Sequence, residues 1–227
     1  MKIDDLTILY ITSSLVPEEW SKFQIWELLK EVWDTPIISV SRKPLDLWIN
    51  LIDDQPRCTH NIYVQMLRAA KLATTKYVAM AEDDTLYPPG HFTFHRPAED
   101  TFAYDCNRLT LFTWDEPMYH WRNRRSNCSL IAPRELLIEA LEERFAKWPN
   151  WIPEKIVGEL GRGMVERNLH VTERKSEDVF NKYSMIQLNH DNASEERQRT
   201  HRKSYWPIKA YDIPIWWKAS ELVKHFK

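Results

Sequence analysis

Residues Thr75–Phe92 read TKYVAMAEDDTLYPPGHF. An apolar stretch, Tyr77 to Ala81, runs straight into three carboxylates, Glu82, Asp83 and Asp84, and then into a Pro88-Pro89-Gly90 turn. A short apolar run bounded by turn residues predicts a buried strand. Three adjacent like charges at its end repel and raise one another's pKa unless a cation neutralises them. In open α/β sheets, ligands bind outside the carboxyl ends of the strands. Hard oxygen ligands suit Mg2+ or Mn2+, which use one or two carboxylates together with substrate phosphates. The stretch therefore predicts a cation site that holds a diphosphate, against the plainer reading of a solvated acidic turn.

The flanking sequence predicts the scaffold. Leu6–Ile11 is a continuous apolar run that ends in Thr12-Ser13-Ser14, as a buried parallel strand would. Ser21–Trp33 has apolar residues at helical spacing, Pro36–Val40 reads as a second strand, and Asn61–Thr75 carries Ile62, Met66, Ala69, Ala70 and Ala73 on one helical face. Strand alternating with helix predicts an α/β domain with a mostly parallel sheet. Further on, Thr101–Trp114 predicts one or two strands. A helix begins at Pro133, a position that tolerates proline, and presents Leu137, Ala140, Leu141 and Phe145. Pro153–Asn168 has helical spacing and Leu169–Glu173 reads as a strand. Asp191–Lys203 is polar and basic, and the Trp- and Pro-rich stretch from Tyr205 to Lys227 is expected to wrap the surface.

The 227 residues suffice for one domain with an appended lobe. A formal net charge of −2 announces neither a nucleic-acid nor a membrane partner, and no apolar run approaches the length of a membrane span. The acidic start MKIDDLTILYITSS fits a first core strand better than a signal peptide. Cys58, Cys106 and Cys128 form no CxxC, which fits reduced thiols in a cytoplasm. Only four glycines occur, and Gly158, Gly161 and Gly163 crowd together, so backbone freedom or close approach is expected there. GELGRG follows no strand, and no GxxxxGK[ST] loop is present, which disfavours dinucleotide and P-loop chemistry. His91 and His95 have no partner at zinc-ligand spacing. The 11 tryptophans are core by default.

The segment NIYVQMLRAAKLATTKYVAMAEDD, Asn61–Asp84, resembles the helix–strand–carboxylate segment of glycosyltransferases with the GT-A fold. There a DxD-like motif binds the metal of a nucleotide-sugar, and Glu82-Asp83-Asp84 looks like its EDD variant. The resemblance implies a Rossmann-like α/β fold, with a mostly parallel central sheet flanked by helices, a smaller acceptor lobe and a C-terminal tail. One catalytic domain, 1–227, would divide into a nucleotide-sugar half (1–95), an acceptor half (96–190) and a tail (191–227). Thr12, Ser13 and Ser14 would seat the nucleotide with Asp83. Arg68 and Arg199 are candidate phosphate partners, since arginine matches phosphate with paired donors. Asp84 and His190, with Glu82, would hold Mn2+ or Mg2+. PEKIVGELGRGMVERNLHV resembles the family's acidic helix, and Glu154 and Glu159 are its candidate bases. Lys155 stands where the family usually has Asp. A UDP-sugar is the expected donor. The metal would stabilise the leaving diphosphate, and in an inverting reaction a carboxylate would take the acceptor's proton.

Two basic clusters, His120–Arg125 and Arg197–Lys203, bear on the acceptor. The chain is similar to small phage-type glycosyltransferases, some of which modify hydroxymethylated pyrimidines in DNA. That implies a DNA acceptor, with Arg122, Arg124 and Arg125 on phosphates and Trp121 or Trp151 facing an extruded base. The alternative is a saccharide acceptor in surface-polysaccharide synthesis. A rival class is a Mg2+-dependent nuclease or a non-catalytic nucleic-acid-binding protein. A nuclease would want a lysine or a further acid just beyond the cluster, where this chain has TLYPPGHF.

Overall fold

The computed structural model describes residues 3–192 and 209–227. Two sheets meet at the acidic segment. The larger contains β1 (Leu6–Ile11), β2 (Ile37–Ser41), β3 (Ile49–Ile52), β4 (Tyr77–Glu82), β6 (Thr101–Asp105), β9 (Leu130–Pro133) and β10 (Lys175–Val179). Its order is β10-β6-β9-β4-β1-β2-β3. All neighbours are parallel except β9, which runs antiparallel to β4 and β6. The smaller sheet is ordered β12-β8-β7-β11-β5, with β5 (Thr85–Leu86), β7 (Arg108–Phe112), β8 (Tyr119–Trp121), β11 (Met185–Asn189) and β12 (Lys209–Ala210). The expected α/β architecture is the observed one: a mostly parallel central sheet flanked by helices, with a smaller second layer.

Every residue of β1 is buried, so the strand is apolar on both faces and must be covered on both. Successive side chains of a strand point to opposite faces. Leu9 and Ile11 pack with Met66, Ala69 and Ala70 of α2 (Thr59–Leu72) and Leu137 and Leu141 of α3 (Arg134–Lys147). Ile8 and Tyr10 face the other way, onto Leu28 and Val32 of α1 (Glu18–Val32). The predicted helices over Ser21–Trp33 and Asn61–Thr75 correspond to α1 and α2.

Three expectations are corrected. The helix expected over Pro153–Asn168 exists only as α4 (Gly163–Leu169). Gly161 has φ +70°, a left-handed conformation that breaks the helical run, and a Cβ there would stand 2.6 Å from Ser176 Cβ. The Glu166 carboxylate then accepts from Gly161 N at 2.7 Å and from Arg174 N at 2.8 Å, fixing the irregular segment. The strand expected at Leu169–Glu173 lies further on, as β10, because left-handed His170 closes α4 first. The C-terminal stretch does not simply wrap the surface. Leu222, Val223 and Phe226 of α5 (Ala219–Phe226) are buried with Trp20, Leu86, Tyr119 and Ile186 in a third core between α1 and the smaller sheet. No helix among the described residues is long and apolar enough to cross a membrane.

Candidate active site

β4 ends at Glu82 in the larger sheet, and β5 begins at Thr85 in the smaller one. Asp83 and Asp84 are the crossing between them. Their backbone is held on several sides. The Trp20 indole donates to Asp83 O at 2.8 Å. Gln24, itself oriented by Tyr10, donates to Thr85 O at 2.9 Å and Glu82 O at 3.2 Å. The Tyr87 hydroxyl accepts from Glu82 N at 2.9 Å and donates to Cys128 O at 3.1 Å. β11 pairs antiparallel with β5, and Leu188 N donates to Asp84 O at 2.8 Å. That pairing carries His190, just past the end of β11, alongside the acids.

These groups open onto a cleft of about 580 Å3 outside the carboxyl ends of β1 and β4. Glu82, Asp83, Asp84 and His190 line it, with Ser13 from the β1 exit and Glu154 from the segment before α4. Burial pushes the Glu82 carboxyl up to about 8, with Asp84 and Asp83 adding repulsion. Burial and then Asp83 push Asp84 up to about 7. Asp83 reaches about 6, raised by burial and partly relieved by the Thr12 hydroxyl, which donates to its Oδ2. Burial, with Arg57 adding to it, pushes His190 down to about 4, so its imidazole is neutral at neutral pH and free to act as a ligand.

Among the described residues, no three His, Cys, Asp or Glu side chains come together as a group that could hold a metal ion by themselves. Two or three repelling carboxylates and a neutral imidazole on one cleft wall instead fit a cation that completes its shell with substrate phosphate oxygens. Asp84, His190 and Glu82 are the residues that would hold it.

The other expected residues fall in different places. Thr12 sits one layer behind the wall, on Asp83, and its Oγ1 also accepts from Ser14 N at 2.8 Å; Ser14 itself does not line the cleft. Arg68 is ion-paired with buried Asp53 at 2.8 Å, where Asn61 and Gln65 also donate. Glu159 is off the cleft wall and accepts from Arg162 at 3.1 Å. Trp151 is 47% exposed and stacks on His60 with centroids 5.8 Å apart. Trp121 packs against the third core. Arg125 is bound to Asp178, Ser176 and Gly161. The Arg122 backbone N donates to Arg108 O at 2.7 Å, and the Arg124 side chain is exposed. Arg199, and the whole cluster 197–203, lie outside the described residues. His91 and His95 face separate carboxylates, Asp105 at 3.1 Å and Glu177 at 2.7 Å.

Sequence reasoning missed Arg42, Arg57, Asn61 and Gln65, which line the same cleft as the acids. Arg57 donates to Asn192 O at 2.7 Å. Arg57 follows β3, whose short INLI run carries no clear strand signal, while Arg42 leaves the end of β2 and Asn61 and Gln65 stand on the first turns of α2.

No family model and no curated protein matches this sequence. Solved structures do align with the fold. The inositol-1-phosphate CTP transferase of T. maritima matches at 9% identity over 87% of this chain and 94% of its own, with TM-score 0.48. The mannosyltransferase PcManGT of Pyrobaculum calidifontis, in complex with GDP-Man and Mn2+, matches at 9% identity over 81% of this chain and 56% of its own, with TM-score 0.46. A Drosophila β1,4-galactosyltransferase 7 mutant, in complex with manganese, UDP-Gal and xylobiose, matches at 13% identity over 88% of this chain and 81% of its own, with TM-score 0.43. Likeness at this level carries no argument about what this chain does.

Proposed function

We propose that the cleft binds a nucleoside diphosphate sugar, with UDP as the expected nucleotide, together with Mn2+ or Mg2+, and transfers the sugar to an acceptor hydroxyl. The observation that carries this reading is the strained acidic crossing from β4 to β5, with neutral His190 brought beside it by β11. Acids held at that cost in a ligand cleft are a functional arrangement first and a structural one second. A bound cation would stabilise the negative charge that develops on the departing diphosphate. Arg57 and Arg42 flank the same cleft and offer paired donors to phosphate oxygens. Thr12 keeps Asp83 aimed and ionisable. Glu154, on the cleft wall, is the better placed of the two candidate bases; its carboxylate accepts the proton as the acceptor oxygen attacks the anomeric carbon.

Nucleotidyl transfer is the nearest competing reaction. It must cradle a triphosphate, and the exit of β1, Thr12 to Pro17, carries neither glycine nor a basic residue. That favours glycosyl transfer. For the acceptor, the DNA expectation finds no support in the 120–125 stretch, where Arg125 is spent on an internal bridge and Trp121 on the core. The exposed face of Trp151, close to Glu154 in the chain and braced by His60, supports a saccharide acceptor.

The test is a panel of nucleoside diphosphate sugars with Mn2+ and the purified protein. Metal-dependent release of the nucleoside diphosphate supports the transferase. No donor turnover, with nicking of added DNA, supports the nuclease instead.

A further inference from the structure

α5 reaches the candidate cation site through the third core. Phe226, buried in that core, lies between two of the site's supports. On one side its ring meets the His190 imidazole, with centroids 5.3 Å apart and planes at 43°. On the other it meets the Trp20 indole at 5.1 Å and 60°. That indole donates to Asp83 O at 2.8 Å. One buried side chain thus touches both a candidate ligand and the group that holds the backbone of the acidic crossing. The segment carrying it is tied down. Trp216 Nε1 donates to Ser184 O, just before β11, at 2.7 Å, and the Tyr119 hydroxyl donates to Trp217 O at 2.6 Å. Leu222 and Val223 pack with Ile186 and Leu188 of β11, the strand that leads to His190.

A histidine that ligates a metal usually donates its other ring N–H to a carboxylate or a carbonyl, and that bond fixes the plane of the ring. His190 lacks this brace. Its side chain is buried, yet among the described residues no hydrogen bond reaches either ring nitrogen. The backbone at the site is well set: β11 pairs with β7 as far as Asn189, and Thr113 N then donates to Asn189 O at 3.0 Å. A fixed backbone does not fix the ring, because rotation about the Cβ–Cγ bond of histidine is broad. Packing is left to choose the plane. Among the described residues, Phe226 is the aromatic neighbour of His190. Aromatic rings at this separation prefer particular tilts and offsets, so such a contact orients as well as buries.

We infer that Phe226 is a positioning residue of the cation site: its ring sets the plane of the His190 imidazole, in place of the usual hydrogen bond, and keeps Trp20 on Asp83 O. This rests on the reading of the cleft as a site for a divalent cation and a nucleoside diphosphate. It gives α5 a role in that site beyond closing the third core. Phe226 touches neither the nucleotide nor the reacting atoms, so it acts only through His190 and Trp20. Its loss should therefore weaken the cation-dependent part of UDP binding and spare the rest.

The experiment titrates UDP into the full chain by calorimetry, with Mn2+ and with chelator, well below the melting temperature of each protein. It compares the wild type with Phe226→Ala, Phe226→Tyr and Leu222→Ala. Leu222 is buried one turn earlier on α5, so Leu222→Ala loosens the same core and leaves the ring beside His190 in place. In Phe226→Ala the affinity for UDP with Mn2+ should fall by about tenfold or more, as it does when a group that orients a metal ligand is removed. Leu222→Ala should stay within about twofold of wild type, and so should every variant in chelator. Phe226→Tyr keeps the ring and should restore most of the loss. A second readout needs no cation: the NMR shifts of the His190 ring protons in the metal-free protein should move in Phe226→Ala, which removes the neighbouring ring current, and hold in Leu222→Ala. Should Phe226→Ala fail to fold, Phe226→Leu refills the volume without a ring and carries the same expectation. Unchanged Mn2+-dependent affinity or unchanged His190 shifts in Phe226→Ala, an equal loss in Leu222→Ala, or no recovery in Phe226→Tyr overturns the inference and leaves the cation reading standing. A wild type whose UDP binding ignores Mn2+ removes the cation reading, and this inference with it.

Discussion

Replacing Asp84 with asparagine should stabilise the metal-free protein, and only above acidic pH. The carboxyl sits near pKa 7 in the fold against 3.8 as a free side chain, mainly through burial and then through Asp83. The sign follows from that direction. A carboxyl whose folded pKa is raised binds its proton more tightly when folded. Its contribution is intact below about pH 4 and is lost as pH rises through about 7. Roughly three units at 1.36 kcal/mol each set a ceiling of about 4 kcal/mol. The crossing borders an open cleft, where water relieves part of the charge, so about half that is expected. Asparagine keeps the shape and carries no charge. For a chain of this size, a gain of about 2 kcal/mol raises the melting temperature by roughly 4–8 °C. The assay is thermal unfolding in chelator at about pH 5 and about pH 8. His190 works in the opposite sense, losing stability as pH falls from 6.5 toward about 4, but it is common to both proteins and cancels. The variant should lead clearly at the higher pH, and its lead should shrink by more than half at the lower. Equal melting temperatures at the higher pH, or the same gain at both, would refute the claim that this carboxylate is held ionised at a cost.

Other outcomes follow from single contacts. Glu154→Gln should leave metal-dependent UDP binding within about twofold of wild type while lowering transfer by at least about 100-fold, as removal of a general base does; a small effect on turnover removes Glu154 from that role. Gly161→Ala forces a side chain onto a left-handed backbone and against Ser176, and should cost at least about 1–3 kcal/mol in denaturant unfolding. Leu222→Ala empties part of the third core, where Leu222 is 1% exposed, and should cost about 2–4 kcal/mol. A cost near zero would mean that α5 does not stay on the body in solution.

Much of the scaffold was legible because buried parallel strands advertise themselves. LTILYI and YVAMA are continuous apolar runs, and the helices between them carry their buried residues at regular spacing. INLI was not legible. It is an edge strand with exposed ends, too short and too polar in its surroundings to stand out from a loop. Pro153–Asn168 misled because Ile156, Val157 and Leu160 do pack inward at helical spacing, but along a chain turned by Gly161. The tail misled because its Trp and Pro content reads as surface, while the helical spacing of its buried side chains, Ala219, Leu222, Val223 and Phe226, is confined to eight residues. At the site, the acids were legible as adjacent charges ending a strand. Arg42, Arg57 and Gln65 were not, because a cleft wall assembled from two loops and one turn of α2 has no local pattern in the chain. Arg68 was drawn in by its charge, and the structure pairs that charge with Asp53.

The measurement closest to the central claim is calorimetric titration of UDP into the wild type and into Asp84→Ala, each with Mn2+ and with chelator. The account predicts that Mn2+ strengthens UDP binding to the wild type by at least about tenfold, and that the gain disappears in Asp84→Ala while the fold, followed by circular dichroism, is retained. A Mn2+-dependent gain of the same size in Asp84→Ala would contradict it.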